Sequence, residues 1–431
     1  MAAARVVDVV VVGGGPAGVF CAQAIKNILP PSRKAHVVVL EAQKELLKKV
    51  KISGGGRCNV THARGKFSLQ ELVQQYPRGN KSLLNQLSCF GVDESHAWFE
   101  NRGVQLKTEA DGRVFPASNT SATIVQTLLD AARDVDIQAR TRVTSMRPTD
   151  DGAFEIAAWH KPSSEERIWR ASCVVVAAGS TVSMWSLVQS AFDIEIEPPV
   201  PSLFTFEIAG DPRLDGIAGI SVDPAAVSLP TVPKLAPVVG PVLITHTGLS
   251  GPAVLRQSAF AAIAMHAANY KVPVHIDWTG GQFRHNQVVQ LLKQQRQSHP
   301  QRTVRSHCPL VTNDGRPILP QRLWSRLALE SDLQWSNVSN EWVQSVARQV
   351  VQSAFETTGK ATFKDEFVTA GGVRLNQLTK HLEAKRVPRL FFAGEFLNVD
   401  GVTGGFNFTG CWSSASMVAE RIASVLSIEP R

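Results

Sequence analysis

The sequence predicts an α/β fold in which a two-segment, Rossmann-like domain is built from the two ends of the chain, with a β-rich part and a helical subdomain inserted between them. Three observations predict it. A β-branched run, Val6–Val12, leads directly into Gly13-Gly14-Gly15-Pro16-Ala17-Gly18 and a helix-forming stretch. A second apolar run, Leu390–Ala393, leads into a second glycine-rich loop, Gly394–Asn407, near the other end. From about Ile196 to Pro241 the composition shifts to proline and glycine with short alternating stretches such as Leu203–Ile208, the pattern of short strands. A chain of 431 residues accommodates two or three such domains.

Taken in order, Val6–Val12 reads as a buried parallel strand, continuous and bounded by glycine. A helix follows to about Leu29, where Pro30-Pro31 ends it because proline lacks the donor and clashes with the preceding turn. His36–Leu40 is the second strand, which completes a β-α-β unit. The turn-rich Phe115–Asn119 precedes a helix over Ala122–Arg133. Strands are expected over Gln138–Met146 and Phe154–Trp159, joined by Asp150-Asp151-Gly152, and over Cys173–Ala178, ending at Gly179. Phe283–Gln297 and Leu319–Gln352 are helical in pattern. Pro388 precedes a buried strand, Leu390–Ala393. The last helix covers Trp412–Leu426, with Trp412, Ala415, Ala419, Ile422 and Leu426 on its inner face. The expected division is 1–195 with 365–431, 196–280 with 353–364, and a helical subdomain over 281–352.

Composition excludes some classes. With 44% hydrophobic and 19% charged residues the chain is not globally disordered. No apolar run approaches the ~20 residues of a membrane span. Met1–Arg5 leads straight into a strand too short for a signal peptide's core, so a cytoplasmic location is expected. The six cysteines, Cys21, Cys58, Cys89, Cys173, Cys308 and Cys411, form no CxxC pair, which implies reduced thiols. Scattered histidines without HExxH give no metal site. A net charge of +8 and a pI near 9.3 favour anionic ligands. No acid occurs between Asp277 and Asp314, while Arg284, Lys293, Arg296, Arg302 and Arg305 are basic. A solvated face is the ordinary reading of that stretch, and a docking patch for an anionic partner is the other.

Three constellations carry chemistry. In Gly13-x-Gly15-x-x-Gly18, Gly13 permits the tight turn, Gly15 lets backbone approach a pyrophosphate, and Gly18 lets the helix pack closely. Pro16 and Ala17 complete this turn at the helix start, where unpaired amides favour anions. Glu41 ends the next strand 23 residues beyond Gly18, the place of a ribose-binding acid. Its carboxylate favours an unphosphorylated ribose, hence FAD or NAD over NADP. The second constellation is Lys51–Thr61, where Gly54-Gly55-Gly56 free the backbone to curl around a ligand. Arg57 can bond a phosphate or ring carbonyl, Asn59 can donate and accept at a heterocycle edge, and Cys58 is more naturally a small packed residue than a redox group. The third runs from Gly394-Glu395 through Asp400 to Gly404-Gly405-Phe406-Asn407 and into the last helix, which would stabilise the charge of a reduced flavin. Asp400 suits a ribityl hydroxyl or a phosphate-bound water. Lesser features are the strand end at Ala178-Gly179, the main chain of Val143 beside an adenine, a glycine turn at Thr369–Val373, and Thr247–Pro252, which either bounds a substrate cavity or is a helix-starting turn.

These segments resemble the HI0933-like and BaiN-type flavoproteins, also described as NAD(P)/FAD-dependent or aminoacetone-oxidase-like oxidoreductases. The resemblance rests on Gly13–Gly18, Ile52–Thr61, Thr369–Val373 and Ala393–Asn407, and it spans essentially the whole chain. It implies an inserted domain that is β-barrel-like, with a helical subdomain inside it, and a non-covalent FAD. It also implies cofactor contacts at Gly13, Gly15, Gly18, Glu41, Gly56, Arg57, Cys58, Asn59, Gly394, Glu395, Asp400, Gly404, Gly405 and Asn407. Two positions depart from the family pattern: Asn398 stands where an aspartate is usual, and Ala415 where a glycine is usual.

The reading is therefore an FAD-dependent oxidoreductase that moves a hydride between bound flavin and a small organic substrate or NAD(P)H. One full dinucleotide fingerprint is present, so either NAD(P)H docks transiently as the donor, or the organic substrate itself reduces the flavin and oxygen reoxidises it. An oxygen-using amine oxidase and a nucleic-acid-associated flavoprotein are the alternatives. Among partners a small-molecule substrate is expected, with no membrane and no nucleic acid. His246 and Cys58 are candidates for proton transfer only by position, and catalytic residues are left unassigned.

Overall fold

Strand β1, Arg5–Val12, is buried over Val9–Val12 because its β-branched side chains face protein on both sides of a parallel sheet. A computed structural model describes residues 4–30, 32–312, 315–329, 332–361 and 368–428. Met1 at the expected start, Pro31 of the helix stop, Asp314 at the edge of the acid-free stretch, 330–331 within Leu319–Gln352 and the boundaries at 364 and 365 lie outside them. The chain divides into two units, Met1–Pro199 with Phe367–Arg431, and Val200–Glu366.

In the first unit, β1 feeds helix α1, Pro16–Ile28, which buries Val19, Phe20, Ala22 and Ile25, and then strand β2, Val37–Leu40. The sheet runs in the order Asp136–Gln138, β2, β1, Glu165–Val176, Phe154–His160, Thr141–Pro148. The first four are joined in parallel and the last three as an antiparallel meander. The long strand Glu165–Val176 changes partner along its length. Its first half pairs with Phe154–His160, and Val174–Val176 pair in parallel with Leu390–Phe392. The chain's last strand thus joins the sheet begun by its first. The terminal helix, Phe406–Ile428, begins six residues earlier than its pattern predicts, and Trp412, Ala415, Ala419, Ile422 and Leu426 are all buried. Val368–Val373 is a wholly buried strand and not the glycine turn expected there. Its glycines serve close approach: a Cβ on Gly371 would lie 2.7 Å from the Pro198 carbonyl oxygen, and one on Gly372 2.6 Å from that of Phe396.

The second unit holds a seven-stranded sheet ordered Ser353–Glu356, Pro273–Asp277, Ser221–Ser228, Val238–Ile244, Gly248–Ser250, Phe206–Glu207, Gly359–Lys360. Among the described residues these pairs trace an open path. What stands of the fold expectation is an α/β fold with Rossmann-like sheets and helical regions. Helices Pro252–Ala267, His285–Ser298, Gln321–Leu327 and Asn340–Val351 complete this unit. Among the described residues the pattern over Leu319–Gln352 is therefore two helices, separated in part by the short 3₁₀ turn Trp335–Asn337. Thr247–Pro252 resolves into a short strand and a helix start: Gly251 is the N-cap and Pro252 takes the first helical position, where no N–H is needed.

Candidate functional site

All the predicted cofactor residues belong to the first unit. At its glycine turn the three fingerprint glycines do different work. Gly13 has φ +110, and a Cβ there would sit 2.5 Å from the Ala177 carbonyl oxygen. A Cβ on Gly18 would sit 1.9 Å from the Gly13 carbonyl oxygen. Both positions are therefore closed by packing. Around Gly15 no atom lies within 4 Å of a Cβ, so open space remains at the start of α1. Pro16 occupies the first turn, Ala17 is buried, and no side chain caps the helix. Its partial positive charge is left for another group.

Glu41 is drawn to this turn. The Gly14 amide donates to its Oε2 at 2.7 Å and the Gln43 amide to its Oε1 at 2.7 Å. The Thr141 amide donates to the Glu41 carbonyl at 2.7 Å, which brings buried Val143, two residues on, to the same end of the sheet. Ala178 and Gly179 arrive from the other side. The Ala178 Cα would lie 2.9 Å from a Cβ on Gly13, and Gly179 faces Glu395 Oε2.

The helix over Lys48–Gly56 is broken at Ser53, Gly54 and Gly55, the last two in left-handed conformations. Gly55 and Gly56 again leave open space. Arg57 bonds Glu109 at 2.7 Å and lies over the Phe115 ring, 4.0 Å from its centroid. Cys58 is fully buried, and burial pushes its thiol up to about 12. A neutral, enclosed thiol is a poor nucleophile, so Cys58 is a packed residue. Asn59 accepts from the Val114 amide at 3.2 Å.

Beyond Asn59 the first segment lies against the last. Trp412 Nε1 donates to the Val60 carbonyl at 3.0 Å, and the Thr61 and Thr409 hydroxyls meet at 2.9 Å. His62 Nδ1 bonds the Gly404 carbonyl at 2.8 Å, and its ring stacks on Phe406 at 4.7 Å. A Cβ on Gly405 would lie 2.2 Å from the Thr61 carbonyl oxygen. The Tyr76 hydroxyl donates to the Phe406 carbonyl at 2.7 Å. Asn407 closes its own loop, accepting from the Gly401 amide and donating to the Gly401 carbonyl, each at 2.8 Å. Gly394 packs on Ala17, where a Cβ would come within 2.6 Å of the alanine Cβ. Glu395 pairs with Lys49, whose ammonium also reaches Ser180 Oγ at 3.0 Å.

Asp400 is fully buried, and both its oxygens are bonded by the guanidinium of Arg78. Sequence reasoning missed Arg78, Lys49, His62 and Tyr76. Each acts on a residue hundreds of positions away and carries no local pattern. His246, by contrast, belongs to the second unit and is exposed. Among the described residues no group of three or more His, Cys, Asp or Glu could hold a metal ion, and no helix is long and apolar enough to cross a membrane.

A family model described as the HI0933-like protein Rossmann domain matches residues 7–421. The chain belongs to this family. As an HI0933-like protein it is an FAD-linked oxidoreductase. The residues present fit that cofactor: Gly15, Gly55 and Gly56 leave room where a Cβ would intrude, and Glu41 offers a carboxylate beside the helix start.

The chain is 25% identical to the ribosomal RNA dihydrouridine synthase of Escherichia coli (strain K12), over 97% of this chain and 99% of that protein. It is 27% identical to the ribosomal RNA dihydrouridine synthase of Haemophilus influenzae, over 96% and 98%. It is 26% identical to the 3-dehydro-bile acid delta(4,6)-reductase of Clostridium scindens, again over 96% and 98%. The first two overturn the expectation that nucleic acid is no partner. That expectation discounted a basic surplus because solvated helices are also basic, and charge alone does not separate the two cases.

Proposed function

We propose that this HI0933-like protein is an FAD-dependent reductase of carbon–carbon double bonds conjugated with a carbonyl, and that its substrate class is uracil in RNA. One observation carries the reading. Relatives with two different names align with this chain nearly end to end, and their names describe one kind of reaction. Dihydrouridine is uridine with its C5=C6 bond saturated, and that bond is conjugated with the C4 carbonyl. A delta(4,6)-reductase of a 3-oxo steroid acid likewise saturates bonds conjugated with a ketone. In both, the far end of the conjugated system, β to the carbonyl in uracil and β or δ to it in the dienone, is electron-poor and accepts a hydride. RNA is favoured over a steroid by the net charge of +8, which suits a polyanion.

Bound FAD supplies two-electron hydride chemistry. In this reading Gly13, Gly15, Pro16, Ala17 and Gly18 face its diphosphate, Glu41 its ribose and Val143 its adenine. Gly56, Arg57, Cys58, Asn59, Ala178, Gly179, Gly394, Glu395, Asp400, Gly404, Gly405, Phe406 and Asn407 surround the remainder. Lys49 and Arg78 position Glu395 and Asp400. Residues 1–195 with 365–431 form this cofactor domain, 196–280 with 353–364 a barrel-like insertion, and 281–352 its helical subdomain. Saturating uracil takes two electrons and two protons. The electrons come from NADH or NADPH, which leaves as NAD(P)⁺, and the second proton from water.

The test is anaerobic incubation of the flavin-loaded protein with unmodified ribosomal RNA and NADH or NADPH, followed by nucleoside mass spectrometry. The expected product is uridine heavier by two hydrogens. Rapid bleaching of the flavin by nicotinamide with no such product, but with turnover of a steroid dienone, would replace RNA with a small-molecule substrate.

A further inference from the structure

We infer that the helix His285–Ser298 and the segment following it, to Arg305, form an RNA-docking surface, a step that rests on the RNA reading above. The helix is fixed by its buried side, Val288, Val289 and Leu292. Its exposed side carries the amides Asn286, Gln287, Gln290, Gln294 and Gln297, with Ser298 at its end. A helix solvated for its own sake usually mixes acids with bases, since pairs one turn apart support it. Here no acid occurs from residue 278 to 313. Amides both donate and accept, which suits base edges and sugar hydroxyls, and they repel no phosphate.

The cations around this face are of two kinds. Arg296 is structural: its Nη1 donates to the Val338 carbonyl and to Asn340 Oδ1, each at 3.2 Å. Arg305 is held by Asp332 at 2.7 Å. Arg284, Lys293 and Arg302 have no described carboxylate within ion-pairing distance. Arg284 and Arg302 are exposed, and Lys293 is half-buried. Arg302 is presented by a rigid backbone. Its carbonyl accepts from the Trp335 amide at 3.0 Å, the Val304 amide donates to the Leu333 carbonyl at 2.9 Å, and Val304 and Trp335 are fully buried. An anchored backbone carrying unneutralised cations beside an acid-free amide face is complementary to a phosphate chain, and it loses little conformational freedom on binding.

The test is fluorescence anisotropy of a labelled, uridine-containing RNA hairpin with the flavin-loaded protein across a salt series. The triple variant Arg284→Gln, Lys293→Gln, Arg302→Gln is compared with a matched triple of exposed cations from the first unit, Lys34→Gln, Arg133→Gln, Lys161→Gln. Removing three phosphate contacts should raise Kd roughly ten- to fiftyfold near physiological salt and flatten the log–log salt slope by about 2. The matched triple should bind as the wild type does, and both variants should keep their flavin and its bleaching by nicotinamide. If the surface triple binds like the wild type, or the matched triple loses as much, the surface assignment is overturned while the RNA reading survives. Displacement of the hairpin by polyglutamate of equal charge as readily as by unlabelled RNA would also overturn it. A wild-type protein with no salt-dependent RNA affinity would remove both the surface and the substrate class.

Discussion

Replacing Gly15 with alanine separates the packing of the glycine turn from its binding role. The Gly15 backbone is ordinary, φ −79 and ψ −175, and an added methyl meets no atom within 4 Å. Alanine is a poorer N-cap than glycine, but it also stiffens the unfolded chain by about 0.4–1 kcal/mol, so stability should hardly change. The methyl would instead occupy the space that lets a diphosphate reach the amides of α1. Losing one charge-assisted bond costs about 1.5–3 kcal/mol, which weakens FAD binding roughly ten- to a hundredfold. Gly18→Ala is the opposite case. Its methyl would lie 1.9 Å from the Gly13 carbonyl oxygen, so α1 must retreat from the turn. Overpacking of this kind costs about 1–3 kcal/mol. Flavin titration of the apoprotein and thermal melting read the two effects independently. A Gly15→Ala protein that melts normally and binds FAD like the wild type would refute the reasoning, as would a Gly18→Ala protein with unchanged melting.

Asp400→Asn removes the fully buried charge whose two oxygens the Arg78 guanidinium bonds, and should lower stability by about 1.5–3 kcal/mol in chemical denaturation. Alkylation at pH 8 followed by peptide mapping should label exposed Cys89 first and spare Cys58 and Cys411, whose thiols burial holds up near 12. The same thiols set an alkaline limit. The unfolded chain releases their protons near pH 9 and the folded chain only near 12, so stability is full below about 9 and falls as pH rises toward 12. Melting temperatures measured from pH 8 to 10 should decline, and less steeply in Cys58→Ala.

What was legible in the sequence is what repeats or bends locally. Val6–Val12 and Leu390–Ala393 announce parallel strands because both faces of such strands are buried, and the glycine spacing at Gly13–Gly18 reports a turn whose contacts lie within a few residues. The inner face of the last helix was legible from its period. Arg78 was not, since its carboxylate partner is 322 residues away and no period connects them. Gly371-Gly372 misled in the opposite direction. Glycine signals either a bend or a close neighbour, and here the neighbours are the backbones of Pro198 and Phe396. One missed signal was readable: Ser68-x-x-Glu71 is a capping box, and it starts the helix Leu69–Val73. Nucleic acid is hard to read from this sequence because a surplus of charge has no register, unlike a hydrophobic face.

The pairing of Leu390–Phe392 with Val174–Val176 also orders events during synthesis. A ribosome adding about 5–20 residues per second leaves the inner edge of the sheet bare for roughly ten to forty seconds while residues 177–389 are made. The second unit, being contiguous, emerges whole within that interval. A stop codon between residues 367 and 389 would therefore release a chain with the second unit complete in sequence and an uncapped sheet, a natural target for chaperones and proteases.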